Sequence, residues 1–293
     1  MRTAVYDIGS NSVRLIVFDG EKALCRGKIN SRLGEGIAQS NNFSPAALQR
    51  TVVAIEKLKE VSASHGVPEG GHFAFATEAV RKAKDGQVFL DDIEREYGIK
   101  CRLLSGEEEA EIALKGVLGS GDGAVIDIGG ASSELAVRTG GKIVYSLSLK
   151  AGAGTLTDEF GADKAALDKR LETLIKDYGE LPKIENLYAI GGTASACGLI
   201  AKNLKQYDYE AIDGLLLDHK TVFDISDRLF LYTAEERQEM FHLDPNRAVV
   251  LPCGARLFAK VIEYVSPKTV RVSERGNIEG YYGWLKEQGI VCC

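Results

Sequence analysis

Two aspartates, Asp7 and Asp127, end strand-like runs in nearly the same company. Val5–Gly20 reads VYDIGSNSVRLIVFDG and Val125–Gly140 reads VIDIGGASSELAVRTG, at a constant offset of 120 residues. The offset superposes Asp7 on Asp127, Gly9 on Gly129, Ser12 on Ser132, Leu15 on Leu135 and Gly20 on Gly140. Between the two strands of each copy lie small residues, Gly9-Ser10-Asn11-Ser12 or Gly129-Gly130-Ala131-Ser132-Ser133. A turn without large side chains can aim its backbone N–H groups at an anion. An aspartate at its mouth can hold a cation beside a bound phosphate. Arg14 of the first copy falls on Glu134 of the second, so the copies match in backbone and oppose in charge there. A third carboxylate, Glu109, stands in Ser105-Gly106-Glu107-Glu108-Glu109-Ala110. Helix N-termini favour acidic residues, which accounts for Glu107 and Glu108. Glu109 leaves the first turn toward Ile112, Ala113 and Leu114 and is a candidate base.

The elements around these residues follow from pattern. Lys22–Leu33 reads as a third strand closing a meander, and Lys142–Leu149 closes its counterpart. Ser44 followed by Pro45 reads as an N-cap and first helical position, with Leu48, Val52, Ile55 and Leu58 at helical spacing. Short strands are expected at His72–Thr77, Lys100–Leu104, Asn186–Ile190 and Thr269–Ser273. Helices are expected at Glu78–Lys84, Phe89–Tyr97, from Gly106 through Leu118, at Leu167–Tyr178, Lys220–Leu231, Ala234–His242, Pro245–Val265 and Glu279–Gln288. Gly191-Gly192-Thr193 is a third glycine-rich strand end, with Thr193 as an N-cap or facing a ligand. Each half therefore reads as three strands followed by alternating helix and strand, an α/β pattern repeated in two related domains with a cleft between them. The division falls at residues 1–119 and 120–279, with the C-terminal helix 280–293 returning to the first.

Composition narrows the ligand. The chain has 293 residues, 45% hydrophobic and 27% charged, with a net charge of −6. No global basic field draws nucleic acid or a membrane, so neither is an expected partner. A polyanion would have to be held locally, by loop amides, a few basic side chains and bound cations. No apolar run approaches membrane-spanning length, and Met1-Arg2-Thr3 runs straight into a strand, so no signal peptide is expected. The six cysteines lack metal-ligand spacing and read as reduced cytoplasmic thiols. Cys292-Cys293 resembles a lipidation end without supporting context. His65, His72, His219 and His242 form no motif.

Together, DIGSNSVRL at Asp7–Leu15, ATEAVRKA at Ala76–Ala83, SGEEEA at Ser105–Ala110, DIGGASSEL at Asp127–Leu135, GGTASA at Gly191–Ala196 and VSERGNIEG at Val272–Gly280 resemble the exopolyphosphatase / guanosine pentaphosphate phosphohydrolase (Ppx/GppA) family. The resemblance spans nearly the whole chain. It implies two ribonuclease H-like domains of the actin–sugar kinase–Hsp70 superfamily, in the short form without a C-terminal helical domain. It implies hydrolysis of a terminal phosphate with Mg²⁺ or Mn²⁺, a monovalent cation such as K⁺ as activator, and a homodimer. The family's general base falls on Glu109, its second-loop acids on Asp127 and Glu134, and its ATxAxR arginine on Arg81. Two departures stand out. Ala131 and Ser133 replace a glycine and a threonine of the usual DIGGGSTE loop, and Ile278 replaces an arginine before Glu-Gly.

The expected chemistry is in-line attack of water on a terminal phosphoryl group, most of it positioning and charge neutralisation. Amides and side chains of Gly9, Ser10, Asn11, Ser12, Gly129, Gly130, Ala131, Ser132 and Ser133, with Arg14 and Arg81, would hold phosphates. Asp7, Asp127 and Glu134 would hold the cation, and Glu109 would orient the water. The substrate read this way is inorganic polyphosphate. Guanosine pentaphosphate, a kinase reaction on the same fold, and a non-catalytic nucleotide sensor remain alternatives.

Overall fold

The computed structural model describes residues 1–291, with the side chains of residues 38 and 39 set apart. Cys292-Cys293 lies outside the described residues. The chain forms two compact units, Met1–Gly116 together with the segment from Asn277, and Val117–Gly276.

The first unit is built on a five-stranded sheet of order β3-β2-β1-β4-β5. Its strands are β1 (Thr3–Ile8), β2 (Ser12–Asp19), β3 (Lys22–Asn30), β4 (His72–Ala76) and β5 (Lys100–Leu103). The meander β1-β2-β3 is antiparallel, whereas β1, β4 and β5 run parallel. Both faces of β1 are covered, as a near-continuous apolar run requires. Ala4, Tyr6 and Ile8 join a cluster with Ile55 and Leu58 of the Pro45–Ser64 helix and Leu90 and Ile93 of the Gly86–Tyr97 helix. Val5 joins Phe73, Phe75, Leu104 and Ile112 with Ile278, Tyr281 and Leu285 on the opposite face. Side chains alternate along a strand, so Asp7 is on the Val5 face, the one covered by the Gly106–Leu118 helix.

The second unit carries β6 (Gly123–Ile128), β7 (Ser133–Thr139), β8 (Lys142–Leu149), β9 (Asn186–Ile190), β10 (Leu216–Leu217) and β11 (Thr269–Val272). They form a sheet of order β10-β11-β9-β6-β7-β8. Apart from β10, this is the order and direction of the first sheet. The repeat extends to an irregularity: the second and third strands slip register between Val17 and Phe18 in one sheet and between Val137 and Arg138 in the other. The offset of 120 residues therefore holds for a bulge that leaves no mark in residue type.

Capping chemistry set most helix starts as expected. The Ser44 hydroxyl accepts from the Ala47 amide, and Thr233 and Glu236 form a capping box. The Pro245–Val265 helix also begins on a proline, and its N-cap Asp244 accepts from the Arg247 amide. Three readings shift. The helix after β9 starts at Gly191, and the buried Thr193 hydroxyl donates to the Ile128 carbonyl instead of capping the helix. A helix at Ala153–Phe160, hidden in sequence by its short apolar pattern, follows β8. The Lys164–Leu174 helix tightens into a 3₁₀ turn over Ile175–Tyr178. Among the described residues, no helix is long and apolar enough to cross a membrane.

Candidate active site

The two small-residue turns have the same construction. Gly9 N–H donates to the Ser12 carbonyl at 3.1 Å, and Gly129 N–H donates to the Ser132 carbonyl at 3.0 Å. Asp7 and Asp127 each stand two residues before that glycine, at the end of the first strand of a meander. Neither Gly129, Gly130 nor Ala131 has a positive φ. The alanine in the second loop therefore carries no left-handed strain, and only a methyl distinguishes it from glycine there.

Register sets the charges. Asp7 is the cross-strand partner of Arg14, and Asp127 of Glu134. Directly opposed residues of an antiparallel pair project on the same side of the sheet. The first unit thus puts an arginine on the same side of the sheet as its loop aspartate, and the second puts a glutamate there. Glu134 Oε1 also accepts from the Ser148 hydroxyl at 2.7 Å.

Ser133 is a correction. It begins β7 on the core face with Leu135 and Val137, is fully buried, and its hydroxyl accepts from the Tyr178 hydroxyl at 2.9 Å. Burial in turn raises the Tyr178 phenol. Alternation sends Ser132 and Glu134 the other way, so Ser133 is a core hydroxyl and cannot be a phosphate contact. Ile278 is another departure with a plain cause. It is buried against the Val5 and Phe18 face of the first sheet, where an arginine would have to be desolvated.

Glu109 is three-quarters or more covered and faces Arg81, whose Nη1 lies 3.6 Å from Glu109 Oε2. The same guanidinium donates to the Leu104 carbonyl at 2.6 Å and to Glu78 at 2.8 Å. Arg81 thereby ties the chain just before the Glu109 helix to the end of β4. Burial would raise the Glu78 carboxyl, but hydrogen bonds from Lys82 and Arg81 outweigh it and hold it below the usual range. Glu108 is spent on structure: it accepts from the Ser105 amide, caps the helix and pairs with Arg102. The Ser105 amide foremost, with Arg102, holds its carboxyl low. The glutamates therefore separate by role as the sequence pattern implied, with Glu109 left facing a basic side chain.

The strand end at Gly191-Gly192 adds a residue that the motifs did not single out. Gly191 has φ +80°, and a Cβ on it would strike the Asp127 carboxylate. A Cβ on Gly192 would strike the guanidinium of Arg247. Arg247 is in the first turn of the Pro245–Val265 helix, 120 residues downstream of Asp127 only in sequence. A single arginine in an otherwise ordinary helix start gives no sequence signal.

Among the described residues, no three His, Cys, Asp or Glu side chains gather as a metal cluster. Asp127 and Glu134, cross-strand partners on one side of the sheet, fit a magnesium ion in donor chemistry, both being hard carboxylates. Mg²⁺ is commonly held by one or two carboxylates, with water and substrate phosphates completing the shell.

The Ppx/GppA phosphatase family profile matches residues 16–288. A bifunctional 3-dehydroquinate synthase/phosphatase of Fusobacterium nucleatum is 27% identical over 94% of this chain, which spans 45% of that protein. Exopolyphosphatase 2 of Mycobacterium tuberculosis is 25% identical, with 95% of this chain and 97% of the relative covered. A guanosine-5'-triphosphate,3'-diphosphate pyrophosphatase of Vibrio vulnificus is 28% identical over 89% of this chain and 54% of its own length. The crystal structure of the Aquifex aeolicus Ppx/GppA family member superposes with a TM-score of 0.84 at 25% identity, over 100% of this chain and 99% of that one. The repeated α/β sheets are thus those of an actin-like fold in two domains, and the chain belongs to the Ppx/GppA phosphatase family.

Proposed function

We propose that the chain is an exopolyphosphatase, releasing terminal orthophosphate from inorganic polyphosphate by attack of water. The observation that carries this reading is the duplicated turn, Gly9–Ser12 and Gly129–Ser132, each with an aspartate at its mouth. Each turn by itself, with its backbone amides and its aspartate, suits a phosphoryl group. The near-complete coverage of the mycobacterial exopolyphosphatase 2 supports the same choice.

In this reading, amides of Ser10, Asn11, Gly130 and Ala131 and the hydroxyls of Ser10, Ser12 and Ser132 bind phosphate oxygens. Asp127 and Glu134 would hold Mg²⁺, which when bound would neutralise charge on the phosphoryl oxygens. Glu109 orients the attacking water and takes its proton. Arg81 fixes the Glu109 helix and keeps a positive charge beside that carboxylate. The four described cysteines are free thiols, which supports a cytoplasmic location. A homodimer is part of the proposal.

Guanosine pentaphosphate is the second reading, favoured by the 28% identity to the Vibrio pyrophosphatase. Orthophosphate release from long-chain polyphosphate, short-chain polyphosphate and guanosine pentaphosphate, with and without Mg²⁺, separates the two. Turnover confined to the nucleotide would displace the first reading. Turnover only with a hydroxyl acceptor would make the chain a kinase.

A further inference from the structure

Each phosphate-facing turn is gripped from behind by a glycine at the same offset. Gly34 N–H donates to the Ser10 carbonyl at 2.8 Å, and Gly154 N–H donates to the Gly130 carbonyl at 2.8 Å. Residues 34 and 154 are separated by the same 120 positions as residues 10 and 130. The steric relation repeats as well. The three atoms nearest a Cβ on Gly34 all belong to Ser10, its Cβ at 3.2 Å, its carbonyl oxygen at 3.4 Å and its Cα at 3.6 Å. The three atoms nearest a Cβ on Gly154 all belong to Gly130, its carbonyl oxygen at 2.9 Å, its carbonyl carbon at 3.6 Å and its Cα at 3.8 Å.

Neighbouring bonds complete the grip. Ser31 and Arg32 amides both donate to the Asn11 carbonyl at 3.0 Å. On the other turn, Ala153 N–H donates to Gly129 at 2.8 Å and Thr155 N–H to Gly130 at 3.0 Å. The local structures doing this differ: a loop with Arg32 at φ 53° in one unit and the start of the Ala153–Phe160 helix in the other. The shared feature is a glycine amide on the carbonyl of the turn's second residue, where an added Cβ would crowd that residue. A peptide whose carbonyl is held on one side presents the next N–H toward the other. Among the described residues, the amides of Asn11 and Ala131 donate to no backbone carbonyl.

We propose that Gly34 and Gly154 are positioning residues that set the two phosphate-facing turns, by turning the carbonyls of Ser10 and Gly130 rearward so that the following amides face substrate. This inference rests on the phosphohydrolase reading above. Neither glycine touches substrate. Their contribution is the angle at which the amides are presented, a quantity to which binding of a polyanion is sensitive.

The test is polyphosphate hydrolysis and binding by the full chain carrying Gly34→Ala, Gly154→Ala, Ser10→Gly, or Ser10→Gly with Gly34→Ala. Each single glycine variant should raise KM for polyphosphate by about tenfold or more, a larger change than in kcat. Calorimetric binding of inorganic polyphosphate should weaken in parallel, while the unfolding midpoint shifts little. Ser10→Gly removes the nearest atom met by the Gly34→Ala methyl. In that background Gly34→Ala should cost at least about threefold less than in the native one. This rescue does not follow from a general loss of packing. If Gly154→Ala does not fold, its tighter contact is the cause, and the Gly34 and Ser10 cycle decides alone. Unchanged KM and affinity in Gly34→Ala, or a loss that Ser10→Gly leaves undiminished, overturns the inference while the native chain still hydrolyses polyphosphate. A native chain that neither binds nor hydrolyses any polyphosphate or guanosine pentaphosphate removes the underlying reading, and this inference with it.

Discussion

Asp127 stands directly across β6 and β7 from Glu134, on one side of the sheet. At the equivalent place in the first unit, Asp7 stands across from Arg14. The two units therefore differ in charge at this place. Glu134→Gln halves the carboxylate pair, so the Mg²⁺ concentration for half-maximal phosphate release should rise by about tenfold, ligand charge being the main determinant of affinity in oxygen sites. Phosphate release measured over a Mg²⁺ titration checks this. An unmoved midpoint would take Glu134 out of the cation site.

Glu109→Gln should lower kcat by about 10² to 10⁴, the usual range for loss of a general base, with KM within a few-fold. Arg81 gives a sharper comparison. Its guanidinium serves Leu104, Glu78 and Glu109 at once. Arg81→Lys keeps the charge but loses the fork that reaches all three. If Arg81 acts through Glu109, kcat falls in Arg81→Lys and KM holds. A raised KM at unchanged kcat would make Arg81 a substrate contact instead.

The legible part of this molecule was the part written in residue type. The repeated Asp-Ile-Gly turns, the Ser105 and Glu108 capping box and the Ser44-Pro45 helix start depend on particular side chains, and each could be read directly. Ser133 was misread because a hydroxyl in a loop motif looks the same whether it faces ligand or core. Only its place as the first residue of β7, with Tyr178 above it, decides. Arg247 was not legible because its relation to Gly192 joins a strand end to a helix start more than fifty residues on. The Gly34 and Gly154 grip depends on a missing side chain, and one matched glycine pair among 32 glycines carries no signal by itself.

Gly191→Ala adds two faults at one position. The residue has φ +80°, and the added methyl would press on the Asp127 carboxylate. The backbone term alone is about 1–2 kcal/mol for a residue with a Cβ in the left-handed region. Urea unfolding should show at least that loss, and phosphate release should fall further than stability does, because Asp127 is displaced. Arg247→Ala should raise KM with little change in the unfolding midpoint. Equal activity in Gly191→Ala and the native chain would separate this strand end from the site.

His72 makes stability depend on pH. Its ring is buried on β4, with Nδ1 3.1 Å from the Tyr6 hydroxyl, which is also 2.9 Å from the Ser62 hydroxyl. Burial first, then the positive charge of Lys59, lowers the His72 pKa below 6.5, against a smaller opposing pull from Glu69. Burial likewise pushes the Tyr6 phenol up to about 12, so the hydroxyl stays a neutral donor. Below pH 6.5 the unfolded chain takes up a proton that the folded ring resists. The stabilising contribution is therefore complete above that pH and is lost as pH falls through it toward the folded value. The slope corresponds to about 1.4 kcal/mol for each unit of separation between the two pKa values. Chemical unfolding at pH 7.5, 6.5 and 5.5 should show this decline in the native chain. In His72→Gln, which keeps a hydrogen-bonding group for Tyr6 and does not titrate, the decline over the same interval should be smaller. Parallel curves for the two proteins would assign the acid sensitivity to other groups.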